Sequence, residues 1–202
     1  MMDLQEQALL SKARRGDRAA FGELIVRYQK QVLALTRRMC PTAEDAEEAA
    51  QEAFLAAWQG LPSFRGEASF STWLYRLSSN ACVDLLRRES RRPAGPSLND
   101  EEVRLDLPDS APSPEAQAER AELRAQVEAG LRALSPEHRQ VLVLREVHQL
   151  SYEEIASVLS LDVGTVKSRI SRARGSLRKI LLASGNFSAP APSKRTGKEG
   201  CK

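Results

Sequence analysis

Ser151-Tyr152-Glu153-Glu154-Ile155-Ala156-Ser157-Val158-Leu159-Ser160-Leu161-Asp162-Val163-Gly164-Thr165-Val166-Lys167-Ser168-Arg169-Ile170 reads as two helices joined by a tight turn. Ser151 with Glu154 three residues later forms a capping box, which gives acceptors to N–H groups that a helix start leaves unpaired, so a short helix runs to Leu159. Asp162 caps a second helix that reaches about Leu182, and the pair is a helix-turn-helix. At about 100° per residue, Val163, Val166, Ile170, Ala173, Leu177 and Leu181 fall on one stripe, the side to be buried. Opposite lie Gly164, Ser168, Ser171, Arg172, Gly175 and Lys179, flanked by Lys167, Arg169 and Arg174. Small residues let a helix approach the floor of the major groove, Lys and Arg donate to guanine O6 and N7, and Ser serves either base partner. A merely solvated basic helix would interleave Glu with Lys, yet no carboxylate follows Asp162 until Glu199. Duplex DNA is the expected partner.

Working outward, Pro114 and Glu115 open a charged helix to about Leu134, and Ser135-Pro136-Glu137 starts another through Val141, Leu142, Leu144 and Val147. Residues 93–114, rich in Pro with carboxylates between, cannot bury enough apolar surface to order themselves and read as a linker; 184–202 reads as a disordered tail. In residues 1–92, Phe21, Leu24, Ile25, Tyr28, Val32 and Leu35 recur at helical steps, giving a helix from about Ala19 to Met39 that Pro41 ends. Thr42 caps a second helix with Glu44, Asp45 and Glu47 in its first turn, reaching about Gly60. A third begins near Ser69 to Thr72 and runs to Arg88. The predicted fold is all-α: two small helical domains, 1–92 and 115–183, joined by a flexible acidic linker, the carboxyl-terminal one a helix-turn-helix.

The 202 residues are 42% hydrophobic, 28% charged and only 5% aromatic, a composition that favours helices over a large sheet. No apolar run spans a bilayer and the amino end has no secretory signal, so a cytoplasmic protein is expected. Cys40, Cys82 and Cys201 are scattered and odd in number, and only His138 and His148 are present, so neither a disulfide framework, a metal site nor a cofactor is expected. The net charge of +3 hides an uneven distribution: +2 over residues 1–95, −6 over 96–129 and +7 over 130–202. A basic module after an acidic joint fits a polyanion partner.

The first module has different chemistry. Phe64-Arg65-Gly66-Glu67-Ala68-Ser69-Phe70 is a loop with an aromatic at each end, followed by Trp73, Tyr75, Arg76 and Asn80. Aromatic faces interleaved with cations stack unpaired bases and hold their backbone. Trp73 and Phe54 at helical spacing are expected in the core, leaving Phe64, Tyr75 and Asn80 as the better base contacts. Asp45, Glu48, Gln51 and Glu52 occupy adjacent helix faces that either dock a basic partner or are simply solvated.

Asp45-Ala46-Glu47-Glu48 with Gln51-Glu52-Ala53-Phe54, Phe64-Arg65-Gly66 with Phe70-Ser71-Thr72-Trp73-Leu74-Tyr75-Arg76, Leu150 to Ala156, and Val163 to Arg169 together closely resemble bacterial sigma factors of the extracytoplasmic-function group. The resemblance covers both modules in order. It implies core RNA polymerase as partner, through the β′ clamp helices, where Asp45, Glu48, Gln51, Glu52 and Phe54 would dock, and through the β subunit. It implies that Phe64, Arg65, Gly66, Phe70, Trp73, Tyr75 and Asn80 capture a base flipped from the minus-ten element. It also implies that Thr165, Lys167, Ser168, Arg169, Ser171, Arg172 and Arg174 serve the minus-thirty-five element, and that an anti-sigma partner exists. Extended, residues 93–114 reach about 75 Å, roughly twenty base pairs.

The expected function is promoter-specific initiation without catalysis of its own. An autonomous helix-turn-helix regulator would instead be a symmetric dimer on palindromic sites. A recombinase or nuclease would need a nucleophile or paired carboxylates beside a metal, which the scattered acids do not supply. Three residues depart from the family pattern. Ala49 and Ala50 replace bulkier aliphatics and predict looser packing, worth ~1–3 kcal/mol. Ser160 stands where Gly is common, at a turn that costs about 1–2 kcal/mol if φ is positive.

Overall fold

The structure, a computed structural model, describes residues 4–90 and 114–184; the linker interior and the tail lie outside the described residues. Helix α1 spans Leu4–Arg14, α2 Arg18–Met39, α3 Ala43–Gly60 and α4 Phe70–Ser90. A 3₁₀ turn at Leu61–Ser63 links α3 to the loop before α4. In the second module α5 spans Pro114–Arg132, α6 Pro136–Leu142, α7 Tyr152–Leu159 and α8 Val163–Ala183. Among the described residues there is no strand, and no helix is long and apolar enough to cross a membrane.

Local chemistry fixes most of these boundaries. Asp17 caps α2, its carboxylate accepting from the Ala19 and Ala20 amides at 2.9 and 3.1 Å. Thr42 caps α3 by accepting from the Asp45 amide at 3.1 Å, and its hydroxyl donates to Asp45 at 2.8 Å. Helix α1, which the apolar spacing does not announce, is held by a distant contact: the Tyr28 hydroxyl donates to buried Glu6 at 2.8 Å. Burial first, and the Glu6 carboxylate second, push that phenol above its ordinary range. Around it Leu24, Val32, Leu61, Phe70 and Leu74 form the core of the first module. The helix after Pro136 does not run on regularly to Val147; it widens into a π-helical turn over Val143–Val147 and stops at Gln149, whose φ is 54°.

The inner side of α3 is a row of alanines, Ala46, Ala49, Ala50, Ala53 and Ala57, all buried. Ala49 and Ala50 are exposed by only 1% and 5%, so the small side chains bring α3 close to its neighbours with solvent excluded.

The sequence separates two modules; the structure packs them together. One core cluster runs from Leu35, Tyr75 and Leu85 of the first module to Leu144, Ile155 and Ile170 of the second. Arg139, 9% exposed, donates to Leu131, Arg132 and Leu134 carbonyls at 3.0, 2.5 and 3.3 Å, and across the seam to the Met39 carbonyl at 2.9 Å. Arg38 faces Glu128 at 3.9 Å, and the Thr72 hydroxyl donates to Glu154 at 3.4 Å. Cys40 and Cys82 are buried free thiols, and the Cys40 neighbour together with burial pushes the Cys82 thiol up.

Candidate nucleic-acid interface

The helix-turn-helix forms from its own side chains. Ser151 accepts from the Glu154 amide at 3.1 Å while Glu154 accepts from the Ser151 amide at 2.8 Å, which completes the capping box. Helix α7 ends at Ser160 in the left-handed region, with φ 54° and ψ 47°, so the residue standing where glycine is common does adopt positive φ. Asp162 starts α8 by accepting from the Thr165 amide at 2.8 Å, and the Thr165 hydroxyl also donates to its carboxylate. Those bonds hold the Asp162 carboxyl below its ordinary value, the Thr165 hydroxyl contributing most.

Val166, Ile170 and Ala173 are buried along α8, with Val163 and Leu177 partly buried against the same core, as the wheel predicts. Lys167, Ser168, Ser171 and Arg172 are exposed on the opposite face. The flanking residues differ. Arg174 is tied to Glu146, its Nη2 and Nε donating to one carboxylate oxygen at 2.6 and 3.1 Å. Arg169 is half-buried and pairs with Glu137 at 3.6 Å, and Thr165 spends its hydroxyl on the cap. Of the seven α8 residues that the resemblance implies for duplex DNA, Lys167, Ser168, Ser171 and Arg172 are exposed and take no part in these ion pairs or in the cap. Arg145 lies over the Tyr152 ring at 4.8 Å and Lys167 approaches the same ring at 5.8 Å, which steadies the start of that face.

In the first module Ser69 caps α4, accepting from the Thr72 amide at 3.1 Å. The preceding loop turns at Gly66, whose φ of 76° a side chain would strain. Phe64 packs on Trp73 at 4.8 Å and on Phe70 at 6.0 Å. Here the structure reverses the expected burial. Phe70 is 1% exposed, Phe64 9% and Tyr75 7%, whereas Trp73 and Phe54 are only half-buried. Phe70 and Phe64 are core because α1 and α2 close over them, through Tyr28 at 5.3 Å from Phe70. Tyr75 is covered by His148 of the second module at 4.5 Å. Trp73 gains its place because Gly60 has no Cβ; one there would lie 3.1 Å from the indole. Arg65, Gly66 and Asn80 are exposed. On α3, Glu48, Gln51 and Glu52 are exposed, with Glu48 facing Arg88 at 3.7 Å and Asp45 held in the Thr42 cap.

Two known families match in the same order as the modules: sigma-70 region 2 over residues 24–92 and sigma-70 region 4 over residues 124–177. The RNA polymerase sigma-H factor of Pseudomonas aeruginosa is 40% identical over 181 residues, covering 88% of this chain and 94% of the relative. This chain belongs to the extracytoplasmic-function sigma factors of the sigma-70 family. The ECF RNA polymerase sigma-E factor of Escherichia coli K12 is 39% identical over 177 residues, 85% of this chain and 91% of that factor. The solved structure of CnrH in complex with the cytosolic domain of CnrY superposes with a TM-score of 0.65 at 31% identity, over 89% of this chain and 98% of that one. As a sigma factor, the protein binds core RNA polymerase and directs promoter-specific initiation. Two features of this sigma factor escape sequence reasoning: Arg139, set between His138 and Gln140 with no acid three or four residues away, and His148, a lone histidine after a helix.

Proposed function

We propose that the sigma factor divides the promoter between its modules. The exposed row Lys167, Ser168, Ser171 and Arg172 on α8 reads the duplex minus-thirty-five element, with Arg172 donating to a base edge and Lys167 to phosphate. The loop 64–71 with Trp73 and Asn80 on α4 holds an unpaired base of the minus-ten element. Glu48, Gln51 and Glu52 on α3, with Asp45 and the half-buried Phe54 beneath, dock on the β′ clamp helices, where acids meet a basic coiled-coil surface. The observation that carries this reading is α8 itself: 21 residues without a carboxylate, apolar on the buried side and small or cationic on the other.

The factor makes and breaks no bonds; it selects and stabilises. It works in the cytoplasm, and the seat that the cytosolic domain of CnrY takes on its relative supports a comparable anti-sigma partner here. In vitro transcription with purified core polymerase on a promoter library tests the assignment. Arg172→Ala should flatten discrimination at one base pair by about 1–3 kcal/mol, while Asn80→Ala should slow opening and leave the closed complex nearly intact. Identical effects of both changes on duplex binding would overturn the division of labour.

A further inference from the structure

We propose that Glu6 and Tyr28 are positioning residues for base capture: the bond between them fixes the ring on which the aromatic frame of residues 64–73 is built. This rests on the reading of residues 64–80 as the base-capture face. Helix α1 carries no aromatic residue and no part of that face, yet Glu6 is turned inward, 7% exposed, and accepts from the Tyr28 hydroxyl at 2.8 Å. Leu10 and Ala13 already bury the inner side of α1, so docking the helix calls for no carboxylate there, and an apolar residue would avoid the cost of burying one. What the bond adds is direction: it holds the Tyr28 ring from its hydroxyl end.

Ring contacts carry that constraint to the capture face. The Tyr28 ring meets Phe70 edge-on, with centroids 5.3 Å apart and planes at 64°. Phe70, 1% exposed, supports Phe64 at 6.0 Å and Trp73 at 5.7 Å, and those two close the triangle at 4.8 Å. At about 100° per residue, Phe70, Trp73 and Asn80 fall within about 80° of one another around α4, so the buried Phe70 lies directly beside the capture side. Edge-to-face rings have a preferred geometry, so a Tyr28 ring held at its hydroxyl sets where Phe70 stands, and Phe70 sets the tilt of Trp73. Helix α1 also touches the 3₁₀ turn at Leu61–Ser63, where the Phe64 amide donates to the Leu61 carbonyl at 3.2 Å. It thus braces the loop at its Phe64 end and at its Phe70 end.

The side that meets a base is not itself held by burial. Trp73 is half-buried and Arg65, Gly66 and Asn80 are exposed, so the shape of that side is inherited from the rings below it. An unsupported indole samples several tilts, and trapping a base then costs the order that the frame would have supplied in advance. Burial and the Glu6 carboxylate both raise the Tyr28 phenol above its ordinary range, so at neutral pH its hydroxyl remains a donor. Glu48, Gln51 and Glu52 on α3 and Lys167 and Arg172 on α8 take no part in this chain of rings. Loss of the bond therefore falls on strand opening, not on docking or duplex contact.

Variants of the full chain, assembled with core polymerase on a promoter taken from the library, test this. Tyr28→Phe removes the donor and Glu6→Leu the acceptor, whereas Glu6→Gln keeps an oxygen for the hydroxyl. Glu6→Leu combined with Tyr28→Phe replaces the bonded pair by two apolar side chains, which restores stability without the bond. Gel retardation of the intact promoter reads closed complexes, permanganate reactivity of unpaired thymines reads opening, and circular dichroism reads Tm. Acrylamide quenching reads the indole in a Trp58→Phe background, where Trp73 is the remaining tryptophan. Both single variants should open the promoter about fivefold less readily, the lower end of what one stacked base contributes, with closed complexes unchanged and Trp73 quenched more strongly. Glu6→Gln should match the unaltered protein, and the double variant should recover Tm while opening stays about fivefold down. Opening that recovers together with Tm in the double variant, or a Trp73 that quenches alike in every variant, overturns the proposal. Trp73→Ala and Asn80→Ala separate the underlying reading: if neither slows opening, the base-capture face is refuted, while quenching still judges the Glu6 to Tyr28 strut.

Discussion

Ser160→Gly should stabilise the helix-turn-helix, by an amount that follows from its backbone. Ser160 holds φ 54° and ψ 47°, where Cβ crowds the following carbonyl at a cost of about 1–2 kcal/mol for a residue with a side chain. Glycine removes that crowding but widens the unfolded ensemble, which takes back about 0.4–1 kcal/mol. The bonds that define the turn are from backbone: the Ser160 amide donates to the Ala156 carbonyl, and the Leu161 amide donates to the same oxygen at 3.0 Å. Glycine keeps both, and the exposed serine side chain surrenders no burial. The net gain is roughly 0.5–1 kcal/mol, which for a chain of this length raises Tm by about 1–4 °C. Thermal melts and denaturant midpoints by far-UV circular dichroism measure it, with Ser160→Ala controlling for the hydroxyl and Ser160→Val, β-branched at positive φ, expected to fall below both. A glycine variant no more stable than the unaltered protein, or a valine variant equal to alanine, refutes the strain argument.

Acid should weaken the seam through His148. Burial, and then the neighbouring Arg38 charge, hold its imidazole down at about 4 against an ordinary 6.5. The unfolded chain takes up the proton first, so stability present above about 6.5 is lost as pH falls toward 4, by at most about 3 kcal/mol. His148→Phe should flatten that portion of the stability profile, measured by denaturant titration at stepped pH. The Asp162 cap gives a second test: Asp162→Ala should cost about 1 kcal/mol and Asp162→Asn, which keeps an acceptor for the Thr165 amide, less than half of that, read as shifts in Tm.

What the sequence discloses here is mostly local chemistry. The ends of α3, α7 and α8 are legible because Thr42, Ser151 and Asp162 each accept from a backbone amide within three residues. The buried stripe of α8 is legible because one period governs it. Helix α1 is not, since what holds it is a bond between Glu6 and Tyr28, 22 residues apart. The burial of the aromatics inverts for the same reason. Spacing places Phe64, Phe70, Trp73 and Tyr75 along the same loop and helix, but the choice of which ring faces solvent is made by α2, by Gly60 and by His148. The seam between the modules is the least legible feature: an arginine bound to carbonyls leaves no complementary acid in the sequence to mark it.

Arg139 has a consequence for how the two modules are joined. Three of its four carbonyl partners belong to its own module and only Met39 belongs to the other. The joint between the modules therefore rests on one of the four bonds, a charge-assisted one worth about 1.5–3 kcal/mol before water satisfies the oxygen, while the other three brace the arginine from its own side. Those three bonds aim the guanidinium at the Met39 carbonyl, so the fourth is made by a group already held in place, like a catch mounted on one half of a hinge.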